Sequence, residues 1–191
     1  PVTALCALPD FESATRLLKS LRASLPGLSA FELMWADFMG TSCEYGQLRA
    51  PFGEAYPLYA IVELLGEDAE GDRQALERVL ERALDTGWVE DVVVAQSLDD
   101  TRRLWAYRET VGEILSRLRP IAAFDIGVPM PRMDEFVKAV RVALEARYPA
   151  QRHLFFGHLG DGNLHVATGP HAQAEQLHAV ERLVYEEVAK V

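Results

Sequence analysis

Residues 155–166 read FFGHLGDGNLHV, so two apolar runs flank an Asp-Gly pair. Asp161 and Gly162 tolerate the positive φ angles of a tight turn, and the pattern therefore predicts a β-hairpin. Whether its loop has two residues or four, pairing without a bulge puts His158 directly opposite His165. The Cβ atoms of directly opposed residues lie roughly 4.5–5.5 Å apart, which allows two imidazoles to bind one metal ion. We therefore predict a metal site on one face of this hairpin.

The hairpin has a second interpretation, in which the histidines cap a sheet edge and the glycines serve only the turn. Two facing histidines favour the metal site, because imidazole is the commonest metal ligand in proteins. In addition, Gly157, Gly160 and Gly162 leave bare backbone that a ligand can approach closely. A catalytic zinc usually has three protein ligands, so at least one further ligand is expected from elsewhere in the protein.

The motif GHLGDGNLH at residues 157–165 resembles the metal-binding signature of the FAD-linked oxidases that act on D-2-hydroxy acids. This family includes D-2-hydroxyglutarate dehydrogenases, D-lactate dehydrogenases and the FAD subunit of glycolate oxidase, within the vanillyl-alcohol oxidase superfamily. The likeness covers nearly the whole chain, through AFELM at 30–34, WAYRE at 105–109 and FDIGVP at 124–129. The resemblance implies that residues 1–191 are a single substrate or cap domain, the C-terminal domain of such an enzyme.

The resemblance also implies roles for four residues. His158 and His165 would bind a divalent metal, with zinc as the expected ion, Arg108 would bind the substrate carboxylate, and Asn163 would contact the cofactor. FAD would be bound mainly by a domain that precedes this chain. A further metal ligand and the catalytic histidine would lie beyond Val191, so we expect no catalytic residue within the chain and no activity from the chain alone. The implied reaction is oxidation of a D-2-hydroxy acid of the lactate, glycolate or hydroxyglutarate type, with hydride passing to FAD.

Arg108 lies on a predicted helix that also carries Trp105. A guanidinium there can pair with a carboxylate in bidentate fashion, as recognition of an acid requires. The alternative is an intramolecular partner such as Glu109 or Asp125, and only the resemblance favours the substrate. Glu32 is a single acid in an apolar strand, and we interpret it as part of an edge or a pocket wall.

Three positions depart from the pattern of the hydroxyglutarate enzymes. Gly112 replaces a threonine, Ala123 a lysine and Ala167 an asparagine, and each replaced side chain would contact substrate. These departures favour a smaller or less polar acid, or a subfamily with a different reaction, over the five-carbon diacid.

Composition narrows the class of protein. A chain of 191 residues with 49% hydrophobic residues supports one sizeable core, built from two halves. A net charge of −10 argues against nucleic acid as a partner, because phosphate binding needs clustered Lys and Arg. No apolar run approaches the length of a membrane span. Cys6 and Cys43 are too few for a disulfide framework, so we predict a cytoplasmic location.

Hairpin signals mixed with helical crossovers predict an α+β fold, with a mainly antiparallel sheet covered by helices and two ferredoxin-like halves sharing that sheet. The last helix is predicted to carry His171 and His178 on its surface. Loop composition predicts an irregular excursion at 40–55. We predict strands at about 2–8, 29–35, 56–65, 91–96 and 121–128, and a hairpin at 153–168. Helices are predicted at 11–25, 98–118, 133–148 and 171–191, and a further helix is predicted to end near residue 85.

Two other functions compete with the oxidoreductase. The first is a stand-alone, non-catalytic module that binds a metal or a carboxylate, which fits a chain without a phosphate-binding glycine loop. The second is a metal-dependent hydrolase that uses His158, His165 and Asp161, which is weaker because the turn needs Asp161. For the oxidoreductase, the expected partners are a small 2-hydroxy acid, the FAD-binding domain of the same protein, and a second copy in a homodimer.

Overall fold

The computed structural model describes residues 1–190, except for the side chain of residue 174. The chain divides into two compact units, the first ending at Thr110 and the second beginning at Val111. Every strand pairing described within each unit is antiparallel. The predicted α+β class with antiparallel strands is therefore confirmed.

The first unit has a strand-helix-strand-strand-helix-strand order with two added helices. Its strands are ordered β4-β1-β3-β2, which is the arrangement of a ferredoxin-like sheet. All seven residues of β1 are buried, as expected for an inner strand. The elements are β1 (Val2–Leu8), α1 (Phe11–Ser24), β2 (Leu28–Trp35), α2 (Ala36–Gly46), β3 (Leu58–Leu64), α3 (Ala69–Asp85), β4 (Asp91–Val94) and α4 (Leu98–Glu109).

The second unit repeats the first three strands of that arrangement. Its strands are ordered β6-β7-β5, so the third strand of the unit lies between the first and the second. Helix α6 packs against α7 and β6 and buries Val137, Val140 and Leu144, which recur on one face of the helix as a helical period requires. The elements are α5 (Val111–Arg117), β5 (Ala122–Gly127), α6 (Met130–Arg147), β6 (Arg152–His158), β7 (Asn163–Gly169) and α7 (Ala174–Val188).

Side-chain hydrogen bonds cap the N-termini of α1 and α4. The carboxylate of Asp10 accepts a hydrogen bond from the backbone N–H of Ser13 at 2.7 Å, which caps α1. At α4, Ser97 Oγ accepts from the backbone N–H of Asp100 at 3.1 Å, and the Asp100 carboxylate accepts from the backbone N–H of Gln96. Side chains therefore satisfy backbone N–H groups at the start of both helices.

The predicted irregular excursion at 40–55 is wrong over its first part, because α2 continues to Gly46. Gly40, Thr41 and Ser42 have low helix propensity, but Phe38 and Met39 bury their side chains and packing outweighs that preference. Gln47 ends the helix in the left-handed conformation, with φ 52°.

The helix predicted at 98–118 is two helices that break at Thr110. The Thr110 hydroxyl donates to the carbonyl oxygen of Ala106 at 2.7 Å, a contact that competes with the regular helical pattern.

Helix α7 is shorter than the helix predicted at 171–191. It begins at Ala174 rather than near His171, and it ends at Val188. Val191, to which the helix was predicted to extend, lies outside the described residues.

Within residues 1–190, none of the helices combines the length and the apolar character that crossing a bilayer requires.

Candidate functional site

The hairpin forms where it was predicted, but its register differs. His158 is the last residue of β6 and pairs with Asn163, whereas His165 pairs with Phe156. The predicted direct opposition of the two histidines is therefore wrong, because the connection takes up residues 159–162. The loop chemistry explains the shift: the Asp161 carboxylate accepts from the backbone N–H of Asn163 at 3.1 Å and so closes the turn directly before β7.

The two imidazoles still lie on the same face. A shift of two residues keeps every side chain on its side of the sheet, because strand side chains alternate with period two. The ring centroids of His158 and His165 are 5.4 Å apart, with an interplanar angle of 83°. The prediction of two neighbouring imidazoles is thus confirmed by diagonal pairing instead of direct pairing.

His165 has an acidic neighbour on the next strand. Asp125 of β5 is its cross-strand partner, and Asp125 Oδ2 lies 3.9 Å from His165 Nδ1. That distance is longer than a hydrogen bond, and the Asp125 side chain is 71% exposed. The electrostatic attraction between the two side chains therefore contributes little to stability. The Phe156 ring, with its centroid 5.0 Å from that of His165, covers one side of the imidazole.

The two imidazoles are candidate ligands for a metal ion. Among residues 1–190, no cluster of three or more His, Cys, Asp and Glu side chains has the geometry to hold a metal ion. The further metal ligand and the catalytic histidine expected beyond Val191 lie outside the described residues, and both stay predictions.

The same end of the hairpin contains an unpaired acceptor. The amide oxygen of Asn163, directly across from His158, is buried without a hydrogen-bond partner in the described part of the chain. Leaving such an acceptor unpaired costs about 1–3 kcal/mol, so this end of the hairpin has unused capacity for a donor or a cation.

Two glycines of the motif are required by the backbone around them. A Cβ atom on Gly157 would lie 2.3 Å from the carbonyl oxygen of Asn163, so only glycine allows β6 and β7 to pair here. Gly162 has φ +76°, and its Cβ would lie 2.9 Å from the carbonyl oxygen of Val128. Close strand packing therefore accounts for Gly157, and the positive φ with the close backbone of Val128 accounts for Gly162, so the expected approach of a ligand is not needed to explain either glycine.

In the first unit, Arg108 of α4 pairs with Glu32 of β2. Arg108 Nε donates to Glu32 Oε2 at 3.0 Å, and the two side chains are only 13% and 7% exposed. The partners suggested by the sequence were Glu109 and Asp125, and Glu32 was interpreted as an edge or a pocket wall. A lone acid in a strand that is buried on both faces was the available signal, because a buried carboxylate needs a cationic or hydrogen-bonded partner.

A second acid of the sheet holds the same helix. Trp105 lies one turn before Arg108, and its indole N–H donates to Glu63 Oε2 of β3 at 2.8 Å. The Thr3 hydroxyl donates to the same oxygen at 3.0 Å. Helix α4 therefore contacts the sheet through two carboxylates, one of which neutralises the guanidinium.

The second unit contains a buried chain of hydrogen bonds that the sequence did not reveal. His153 Nε2 lies 3.0 Å from the carbonyl oxygen of Tyr148, which can only accept, so Nε2 carries the hydrogen. His153 Nδ1 then accepts from the Thr168 hydroxyl at 2.7 Å, and Thr168 Oγ1 accepts from His171 Nε2 at 3.3 Å. Burial lowers the pKa of both histidines, because water no longer stabilises the charged ring.

The expected surface position of His171 is therefore wrong, since this residue is fully buried, while His178 is exposed as predicted. The His171 backbone N–H donates to the carbonyl oxygen of Pro120 at 2.7 Å. Because this contact fixes the residue before the helix, α7 begins after it.

Two of the positions that depart from the hydroxyglutarate pattern are neighbours. Ala123 of β5 pairs directly with Ala167 of β7, and the next pair along these strands on the same face is Asp125 with His165, two residues away. Both alanines therefore lie on the same sheet face as His165. The third position, Gly112, has open space where a side chain would be.

Comparison with known proteins places the chain in a family. Residues 1–191 match the family model described as "FAD linked oxidases, C-terminal domain". A D-2-hydroxyglutarate dehydrogenase of Xanthomonas citri pv. viticola is 34% identical over 162 residues, which are 85% of this chain and 34% of that protein. The mitochondrial D-2-hydroxyglutarate dehydrogenase of Rattus norvegicus is 35% identical over 179 residues, or 93% of this chain and 33% of that protein.

Solved structures show the same fold at low sequence identity. An alkyldihydroxyacetonephosphate synthase superposes with a TM-score of 0.69 and 12% identity, over 100% of this chain and 39% of that one. A p-cresol methylhydroxylase with bound substrate gives 0.61 and 9%, over 97% of this chain and 42% of that one. This chain spans about a third of the length of the curated relatives that it matches, the two dehydrogenases above.

Proposed function

Because this chain belongs to the C-terminal domain family of FAD-linked oxidases, we propose that the protein containing it oxidises a D-2-hydroxy acid. The observation that carries the proposal is the family match over all 191 residues, together with relatives named D-2-hydroxyglutarate dehydrogenase. The chain itself is the domain that binds the substrate and the metal ion. The FAD-binding domain of the same protein is its partner, and the chain without that domain is inactive.

In the proposed reaction, FAD would supply the acceptor for the hydride from the α-carbon of the acid, and the proton of the α-hydroxyl group would pass to a base outside the described residues. Arg108 binds the carboxylate of the substrate, since a guanidinium recognises this planar anion through paired N–H donors. Binding the carboxylate fixes the orientation of the α-hydrogen, and orientation alone lowers a barrier by several kcal/mol. Asn163 offers its unpaired amide oxygen to a donor on the cofactor or the substrate.

We further propose that His158 and His165 bind a divalent ion, with zinc as the expected metal. Support comes from the 5.4 Å separation of their ring centroids and from their common face. The ion would act as a Lewis acid on an oxygen of the substrate. At least one further ligand comes from outside the described residues, because these contain no group of three ligands.

The substrate we propose ends in a smaller or less polar group than the second carboxylate of 2-hydroxyglutarate. The adjacent pair Ala123 and Ala167 supports this, because neither side chain offers a hydrogen bond on the face that carries His165. Lactate-type and glycolate-type acids fit an apolar surface at this position. Introducing Ala123→Lys together with Ala167→Asn should raise the activity with 2-hydroxyglutarate relative to lactate.

One alternative has its own observation in its favour. A non-catalytic module that binds a metal or a carboxylate would also contain the histidine pair, and Arg108 already has a carboxylate partner in Glu32. The hydrolase has no such support, since the Asp161 carboxylate is engaged by the backbone of the turn. The homodimer and the cytoplasmic location remain predictions from the sequence, and some relatives have names that include the word mitochondrial.

The deciding experiment uses the full-length protein that contains this chain, purified from its source. We expect an oxidised-flavin absorption spectrum that bleaches under anaerobic conditions with lactate or glycolate-type D-2-hydroxy acids. Elemental analysis should find about one divalent ion per chain. A colourless protein that binds metal or carboxylates would instead establish the non-catalytic module.

A further inference from the structure

We propose that Glu32 is a positioning residue for Arg108, which fixes the guanidinium and sets how strongly it binds an external carboxylate. The inference rests on the proposed function, in which Arg108 receives the carboxylate of the acid. On this view Glu32 acts through Arg108 and does not touch the substrate.

The position of Glu32 is determined by the sheet. It lies in β2, where it pairs with Ile61 of β3, and the last five residues of β2 are all buried. A carboxylate on such a strand has little freedom to move, because shifting it would disturb the strand pairing on which the unit depends. Its Oε2 atom therefore defines where Arg108 Nε must lie.

The position of the Arg108 backbone is determined separately. Trp105 and Arg108 are three residues apart on α4 and so lie on one face of the helix. Trp105 bonds to Glu63 and Arg108 bonds to Glu32, on neighbouring strands. Glu63 thus orients the helix, while Glu32 orients the guanidinium, and the two effects can be separated by substitution.

Glu32 affects an incoming carboxylate in two opposite ways. It holds a long, flexible side chain in one conformation, which removes an ordering cost that binding would otherwise include. Its negative charge also weakens the attraction of the guanidinium for a second anion. Replacing Glu32 with Gln keeps an oxygen acceptor for Arg108 Nε and removes the charge, whereas Ala removes both. The two variants should therefore change carboxylate affinity in opposite directions.

The experiment measures affinity and turnover in the full-length protein. Propionate, which has a carboxylate and no α-hydroxyl group, serves as the probe, and its dissociation constant is read from the flavin spectrum or from calorimetry. Glu32→Gln should tighten propionate binding about threefold, and Glu32→Ala should weaken it about tenfold. In turnover with the acid that bleaches the flavin, KM should follow these changes and kcat should change less. Glu12→Gln is the matched control, which removes the negative charge from an exposed pair with Arg16 and should leave the propionate affinity unchanged.

Glu32→Asp tests the same inference if the Gln and Ala variants do not fold. It keeps the charge but withdraws the carboxylate by one methylene, so propionate should bind more weakly than in the wild type. An Asp variant with wild-type affinity, or Gln and Ala variants that shift in the same direction, would overturn the proposal. An active wild type with unaffected Glu32 variants refutes this inference alone, whereas a wild type without flavin or propionate binding refutes the proposed function as well.

Discussion

The two groups of candidate residues in this chain differ in how their polar atoms are satisfied. In the first unit, Arg108 has a buried counter-ion, because Glu32 lies on the strand beneath its helix. In the second unit, His158 and His165 are neighbours, but the carboxylate beside His165 is exposed and the adjacent amide oxygen of Asn163 is unpaired within the described residues. The arginine thus has a buried ionic contact within its own unit. The histidine pair, in contrast, lies beside a buried amide oxygen that has no hydrogen-bond partner within the described residues.

The largest effect should come from breaking the pair in the first unit. Arg108→Met removes the guanidinium that pairs with the buried carboxylate of Glu32, which should cost roughly 3–5 kcal/mol of stability. The double variant Arg108→Met/Glu32→Leu should recover most of that loss, because it removes the buried carboxylate together with the guanidinium. Hydrogen exchange in peptides of β2 and α4 measures the change in this unit. Equal protection in the single and double variants would show that the ion pair does not stabilise the unit.

A smaller loss is expected from Gly157→Ala in the second unit. The added methyl group would meet the backbone oxygen of Asn163, which cannot move without separating β6 from β7, so the cost should be about 2–3 kcal/mol. Exchange protection of the hairpin peptides reports this cost. Gly127→Ala is the control on β5 of the same sheet, where a Cβ meets nothing within 4 Å. If both variants are equally stable, close strand packing is not the reason for glycine at position 157.

Acid should weaken the second unit more than the first. Burial lowers the pKa of His153 and His171 below the ordinary value of 6.5 that the unfolded chain retains. Stability is therefore fully present above pH 6.5 and falls as the pH drops toward the folded-state pKa values, because the unfolded chain binds the protons first. Nearby Glu145 raises the pKa of His153 and Arg141 lowers it, both less than burial does.

Exchange protection of β6 and β7 peptides, compared between pH 7.5 and pH 5.5 after correction for intrinsic rates, checks this direction. His178→Ala is the control, since that imidazole is exposed and should leave the pH dependence unchanged. A second unit whose stability is the same at both pH values would contradict the neutral, buried state of the two histidines.

His165→Ala should have the smallest effect on stability and a large effect on the metal content of the protein. The ring is partly exposed and its neighbouring carboxylate is distant, so the unfolding free energy of the metal-free protein should change by about 1 kcal/mol or less. The divalent metal content should nevertheless fall to near zero, because one of two neighbouring imidazoles is lost. His178→Ala should keep its metal. Unchanged metal content in His165→Ala would remove this hairpin from the proposed metal site.

Local patterns predicted much of the fold. The strand β1, the stripe of α6 and the caps at Asp10 and Ser97 follow from periodicity and capping chemistry, which act over a few residues. The helix α2 was missed because its weak helix formers are outweighed by the burial of their neighbours in the core. That burial depends on residues far away in the chain.

The candidate site shows the same division. Sequence spacing placed His158 and His165 on one face, because a strand alternates with period two whatever the exact register. The register itself was predicted incorrectly, since it depended on where the Asp161 turn closes. The buried chain from Tyr148 through His153 and Thr168 to His171 was missed as well, because no local pattern indicates which histidine will be buried.

By itself, the sequence determined the class of fold, the hairpin with its two histidines, and a resemblance that comparison with known proteins confirmed over the whole chain. Only the tertiary structure decided that Arg108 pairs with Glu32, 76 positions away in the sequence, and that the two alanines lie beside His165. The reason is physical. Periodicity and turn chemistry act between near neighbours, whereas the partner of a buried charge is selected when distant strands and helices pack together and exclude water.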